Sequence, residues 1–196
     1  MALILDHLAV ACRDLAEGTA WVEGQLGVTM QPGGQHVRYG THNTLLGLGD
    51  MYLEVIAPDA DAAPFDGPRW FDLDRFTGSP RLANWICQTD HFDPIAGPPV
   101  PLKRGDLAWQ LTVPKNGSLP FDGAYPTLIK WDADVTHPAQ SLSDAGCRLV
   151  TLTITHPEAD RIRSMIDLAD PRVRFETGAP SFRATFHTPN GPRTLQ

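Results

Sequence analysis

The first 60 residues read as a strand, a helix and then three strands, and this β-α-β-β-β order constrains the fold more than any other feature of the chain. The opening strand is Ile4-Leu5-Asp6-His7-Leu8-Ala9-Val10-Ala11, and the last is Met51-Tyr52-Leu53-Glu54-Val55-Ile56-Ala57-Pro58. Both are fit for burial, yet one carries His7 and the other Glu54. Successive side chains on a strand point to opposite faces. A buried His or Glu must pair, hydrogen-bond or hold a metal. Two residues of metal-ligand type on strands of one small unit point to a divalent-metal site on a sheet. A mutual hydrogen bond or ion pair between them would satisfy both without metal.

Between those strands the local signals are ordinary. Asp14 followed by Glu17 resembles a capping box with Asp as the cap. The helix runs to Leu26 with Leu15, Val22 and Leu26 along one stripe, and Gly27 stops it. Val28 to Met30 reads as a short strand and Gln31 to Gly34 as a turn, and they lead into the three main strands, of which His36 to Tyr39 and Asn43 to Leu48 are the first two. A Gly49-Asp50 turn then leads into the Glu54 strand.

Residues 1–60 thus form a first βαβββ module. Residues 61–80 are a linker rich in Asp, Ala, Pro and Gly, whose Trp70-Phe71 pair packs back on the sheet or lids a pocket. Residues 81–140 are a middle strand-rich module. Residues 141–196 repeat the β-α-β-β-β order as a C-terminal module, and the whole reads as one compact domain.

Composition excludes several classes. A net charge of −7 with no basic run argues against nucleic acid and against an anionic membrane surface. No stretch approaches the ~20 apolar residues that span a bilayer. Met1 leads straight into strand-like sequence without a basic and apolar leader, so the expected location is the cytoplasm. Cys12, Cys87 and Cys147 are odd in number and set in apolar surroundings, and read as reduced core thiols. No Gly-x-Ser-x-Gly elbow, phosphate loop, dinucleotide-binding glycine fingerprint or Cys-x-x-Cys pair is present.

Three runs carry a resemblance: Leu5 to Leu15, Gly40-Thr41-His42-Asn43-Thr44-Leu45-Leu46, and Tyr52 to Pro58. They are similar to the glyoxalase-like branch of the vicinal oxygen chelate superfamily. Trp131, His137-Pro138-Ala139 and Gly146 to Val150 fit the same branch. The resemblance implies an α+β fold of paired βαβββ modules forming a cupped mixed sheet, with an additional strand-rich segment between modules. It implies a divalent metal ion in the cup, with His7 and Glu54 as ligands. The family commonly places a His on the first strand of the second module, where this chain has Asn84. If the last 50 or so residues were the partner module, that position would fall near Val150 and the last-strand Glu near Thr194.

The expected function is therefore a small-molecule enzyme with metal-assisted lyase or isomerase chemistry on a substrate with vicinal oxygens, and Glu54 as the catalytic proton carrier. The alternative is a metal-free binding protein that sequesters a hydrophobic small molecule. His137, His36, His42, Asn84, Trp85 and Trp131 are the further candidates for ligation or substrate contact. Each has a plain structural reading: turn capping for His42, a surface loop for His36, loop anchoring for His137, and core packing for the tryptophans. The adjacent residues Asp6 and His7 are expected on opposite faces, and so do not form a relay. The partner is a small-molecule substrate, with a homodimer as a candidate assembly.

Overall fold

Strand β1 (Ile4–Ala11) is the axis of the molecule. It runs parallel to β4 (Tyr52–Pro58) on one side and antiparallel to β5 (Arg81–Gln88) on the other. The computed structural model describes residues 2–196. The first half adds α1 (Leu15–Leu26), β2 (Gln31–His36) and β3 (Thr41–Gly47). The second adds β6 (Pro99–Arg104), β7 (Leu107–Thr112) and β8 (Thr127–Trp131).

Together they form an eight-stranded sheet in the order β2-β3-β4-β1-β5-β8-β7-β6. The order is the same read from either end: edge, hairpin partner, then two central strands. The segment that pairs with the first module is therefore residues 81–131. The fold is α+β, with paired modules in a cupped mixed sheet. A second sheet, of order β10-β9-β11-β12, is built from β9 (Arg148–Thr155), β10 (Val173–Glu176), β11 (Ser181–Thr188) and β12 (Gly191–Leu195). Short helices α2 (Pro138–Ser141) and α3 (Ala159–Met165) precede and follow β9.

Two apolar clusters lie on opposite faces of the large sheet. On the convex face, Leu8, Val10, Leu53 and Val55 pack with Val22 and Leu26 of α1. Trp85, Cys87 and Leu128 of the second half pack on that face with Leu152, Ile154 and Phe186 of the small sheet. The second half has only a turn, Pro94–Ala96, where the first has α1. The small sheet thus covers apolar surface that would otherwise face water. On the concave face, Ala9, Ile56, Ile86 and Ile129 pack with Trp109, Leu111 and the linker residues Trp70, Phe71 and Phe76.

Residues 31–36 are a strand rather than a turn, and residues 37–39 are a 3-10 turn rather than a strand. The pairing of β2 with β3 shifts between Pro32 and Gln35. A proline and a bulge are tolerated on an edge strand, where the missing N–H faces no partner.

Helix α1 begins where Asp14 accepts a hydrogen bond from the Glu17 amide at 2.8 Å, and ends at Gly27 in the left-handed conformation. Gly18 on its buried face sits so close to the sheet that a Cβ there would collide with Cys12 Sγ and lie 2.8 Å from Val55 Cγ1. Replacing a helix glycine by alanine ordinarily stabilises by about 1 kcal/mol. Overpacking of a filled core costs about 1–3 kcal/mol. Packing should win at this position. Gly18→Ala is expected to lower the free energy of unfolding in urea, and adding Cys12→Ala to restore part of the loss. A stabilised single variant would show that α1 can shift off the sheet.

Candidate active site

The residues that matter here hang from a β-bulge. On β1 the core-facing positions are Leu5, then Leu8, Val10 and Cys12. The phase of the alternation slips once, between Leu5 and Leu8. The pairing with β5 shifts at the same place, from Leu5 opposite Cys87 to His7 opposite Ile86, leaving Asp6 without a cross-strand partner. Two residues opposite one brings their side chains toward the same side. The expectation that Asp6 and His7 face opposite ways fails for this reason: His7 Nδ1 is hydrogen-bonded to Asp6 Oδ1.

Asp6 is fully buried, and its second oxygen accepts from Trp131 Nε1 at 2.9 Å and His137 Nε2 at 3.0 Å. Burial works to raise the Asp6 pKa, but the hydrogen bonds and charges of His137 and His7 outweigh it and hold the group well below the usual carboxylate range. As an ionised acceptor, Asp6 fixes the tautomer of its partners. His7 donates from Nδ1 and turns the lone pair of Nε2 into the cup. His137 donates from Nε2, while its Nδ1 accepts the Ala139 amide at 3.2 Å and caps α2. Tyr52 stacks on the His7 ring at 4.3 Å and fixes its plane.

Glu54 reaches the same space from β4. Its Oε1 accepts from Asn43 Nδ2 at 2.5 Å, and its Oε2 lies 3.7 Å from His7 Nε2. Asn43 Oδ1 in turn accepts from Arg104 Nη1 at 3.1 Å, and the same nitrogen donates to His36 Nε2 at 3.2 Å. His36 is buried rather than set in a surface loop. Burial, with Arg104 beside it, drives its pKa down to about 3, so it stands as a neutral acceptor. Arg104 ends β6 at one edge of the sheet, while Gly34 lies on β2 at the other edge. A Cβ on Gly34 would lie 2.9 Å from Arg104 Cδ. That close approach lets the arginine cross between the edges and close the cup.

Leu45, Leu111, Ile129, Trp109 and Trp131 form the rest of the wall, and Trp70 and Phe71 cover it. The space left is about 30 Å³, room for a water or two.

The other candidates fall elsewhere. Asn84 donates to Thr127 Oγ1 at 2.8 Å and accepts the Trp85 amide, which engages both ends of its amide in a structural bridge between β5 and β8. Trp85 points to the convex core and donates to the Ala124 carbonyl. His42 alternates with Thr41 and Asn43 on β3, so it faces away from the cup. Asp6, set aside in the sequence as a relay partner, and Asn43, within a run read there only for its likeness to the family, both join the site, and so does Arg104, which the sequence did not single out.

A resident divalent ion does not fit this donor set. His7 Nε2 and Glu54 Oε2 are free to ligate, but the second half offers Ile86 opposite His7 and only the apolar or aromatic Trp109, Leu111, Ile129 and Trp131, besides Arg104, to the lining. Among the described residues no three His, Cys, Asp or Glu side chains are placed to share an ion. The rest of the polar wall is Asn43, Tyr52, His36, whose Nε2 accepts from Arg104, and the Arg104 guanidinium itself. Two protein ligands beside a fixed cation fall short of the six or so oxygens or four tetrahedral donors such ions take.

With the cup in view, comparison with known proteins is decisive on family. The model of the glyoxalase-like domain family matches residues 5–168, which span both halves of the cup. The chain belongs to that family. A crystal structure of a hypothetical protein from Staphylococcus aureus shares the fold, with a TM-score of 0.64 over 91% of this chain and 88% of that one, at 15% identity. Methylmalonyl-CoA epimerase from Mycobacterium tuberculosis aligns at 17% identity over 67% of this chain and 89% of that one, with a TM-score of 0.43. A Streptomyces coelicolor methylmalonyl-CoA epimerase variant aligns at 17% identity over 70% of this chain and 100% of that one, also at 0.43. No curated protein sequence matches the chain. Among the described residues no helix is long and apolar enough to cross a membrane.

The site carries a pH signature. His36 binds a proton near 6.5 when unfolded but only at about 3 when folded, so stability falls as pH drops below about 6.5. Asp6 has a folded pKa below its ordinary 3.8, so its contribution is present above that value and is lost as pH falls further. Urea unfolding against pH should show both stages of decline. Asp6→Asn should shrink the second stage, to which Asp74, Asp144 and Asp170 also contribute, and cost about 2–3 kcal/mol near neutrality, because an amide cannot accept from all three donors. An unchanged acid limb in this variant would mean that the carboxylate is not the hub described.

Proposed function

We propose that this glyoxalase-like chain is a cytoplasmic small-molecule enzyme that moves a proton at a carbon flanked by two vicinal oxygens. The reaction is an isomerisation, or an elimination where a leaving group sits on the next carbon. The observation that carries this reading is the gap of 3.7 Å between His7 Nε2 and Glu54 Oε2. Both are acceptors, and every other polar atom of the two side chains is engaged. At 3.7 Å the two atoms are too far apart for a good direct hydrogen bond, so a proton-bearing group of a substrate placed between them suits both.

Glu54 Oε2 takes the proton from the substrate carbon, and the electron pair moves to the neighbouring carbonyl oxygen to give an enediolate. Asn43 holds the carboxylate by its other oxygen, so only one lone-pair face is presented. His7 Nε2 takes the hydroxyl proton of the substrate and returns it to the adjacent oxygen, while Asp6 stabilises the transient imidazolium. Glu54 then returns its proton to the neighbouring carbon. Sequestration of an apolar ligand fits less well. Such a ligand would desolvate His7, Glu54 and Arg104 and offer them nothing in exchange.

A panel of 2-hydroxy and 2-oxo compounds incubated in deuterium oxide, read by proton NMR, tests this and needs no identified substrate. Wild-type protein is expected to wash the proton adjacent to the carbonyl out of at least one compound. Glu54→Gln should slow that exchange by about 10²-fold or more, the range for losing a general base, with melting behaviour intact. Equal exchange by both proteins would sink the reading.

A further inference from the structure

The cup closes around one fixed cation, and the approach to it is cationic as well. Next to the cup lies a second space of about 80 Å³, which shares His36, Trp70 and Trp109 with it and is otherwise lined by Val37, Arg38, Pro101, Leu102 and Lys103. The two linings together hold Arg38, Lys103 and Arg104, and among the described residues Glu54 is their sole carboxylate. The chain as a whole carries a net charge of −7. A basic track in an acidic molecule is a local arrangement that bulk composition does not supply.

Arg104 is also only half used. Its Nη1 donates to Asn43 and His36, which leaves Nε and Nη2, the edge of the guanidinium that grips a carboxylate through two parallel bonds. The two bonds it does make lock the head group in place. His36 is neutral and cannot compete as a cation. The guanidinium is thus preorganised, and the cost of fixing a flexible arginine is already met in the folded chain.

We infer that Arg104 is an anion-binding group standing where a glyoxalase-like cup would carry metal charge, and that the site takes small organic acids. The cup alone holds about 30 Å³, so such an acid extends into the adjoining space of about 80 Å³, with a carboxylate or an enolisable oxygen on Arg104 and the adjacent carbon toward Glu54. The inference rests on the proton-transfer reading for the role of Glu54, but the anion site stands or falls by itself. Arg38 and Lys103 guide the anion in, and Arg104 holds it. Charge that develops on the enediolate oxygen is met by the guanidinium, which needs no divalent ion to supply the field. Asn43 links Arg104 to Glu54, so the anion holder and the proton carrier keep a fixed spacing.

The test uses oxalate, a compact dianion with vicinal oxygens, titrated into chelator-treated protein and followed by calorimetry and by the arginine Nε–H resonances. Wild-type protein should bind oxalate, more weakly as salt rises, with the largest shift at Arg104. Arg104→Met should weaken binding at least about tenfold, as expected for losing a charge-assisted bidentate contact. Arg104→Lys should keep part of it, and Glu54→Gln should bind as well or better, because it removes the only carboxylate among the described residues lining the two spaces. Should Arg104→Met fail to fold, the Arg104 shift in wild-type protein decides the matter. Equal binding by wild type and Arg104→Met overturns the inference. So does an oxalate shift confined to Arg75, Arg81 and Arg183, which line a separate cleft between the sheets. In a parallel titration with Mn²⁺, the His7 ring signals should stay sharp; broadening there would show that the cup takes an ion after all. Oxalate binding that depends on Arg104, without proton exchange on any compound, would retire the proton-transfer reading and leave the anion site standing.

Discussion

The rest of the site depends on one buried carboxylate. Asp6 has no water to solvate it, so its charge persists only because three N–H donors from three segments converge on it. His7 comes from β1 itself, Trp131 from the end of β8, and His137 from the loop beyond. The two halves of the large sheet are thereby joined at the point where the cup is deepest. Remove the charge and the tautomers of both histidines lose their cause. The bulge in β1 is the backbone device that makes this possible. A regular strand would send Asp6 into the convex core, where nothing could pair with it.

A second polar chain closes the other side of the cup. Arg104, Asn43 and Glu54 run from the edge strand β6 across β3 to the central strand β4. The edge strands β2 and β6 are the two ends of the sheet and do not pair with each other. The arginine side chain spans the gap instead. The linker over the top is held in an unusual backbone conformation. Phe71 and Asp72 both have left-handed φ, of 56° and 59°, which costs on the order of 1–3 kcal/mol per residue. The packing of Trp70 on Tyr39 and Phe71, and its hydrogen bond to Thr41, offset that cost and keep two aromatic rings in the lining of the cup.

Some of this is visible in the residues alone. The helix at 15–26 follows from Asp14, the spacing of Leu15, Val22 and Leu26, and Gly27, all of them local. That His7 and Glu54 need partners follows from their apolar strands. The bulge is visible too, once the apolar phase is counted: Leu5 and Leu8 are three apart, and a regular strand cannot bury both on one face. The β2 region misleads, because Pro32, Gly33 and Gly34 carry the composition of a turn, and only their place on a sheet edge makes them a strand. Asn84 and Trp85 mislead in another way. They sit on the correct strand, but hydrogen bonding to Thr127 engages the one and the pleat turns the other to the core.

The sequence by itself determined the opening strand, the helix at 15–26, the Glu54 strand and which buried polar side chains demanded partners, because period, capping and desolvation act over a few neighbouring residues, and its motifs carried the likeness to the family. Tertiary structure alone decided who the partners are. Asp6 meets Trp131 and His137 across more than a hundred residues, and Arg104 meets Asn43 across sixty-one. It also decided which later segment completes the cup, since residues 81–131 and 148–195 both offer strands in a suitable order. Only the matching of apolar faces chose the first for the cup and left the second to cover its back.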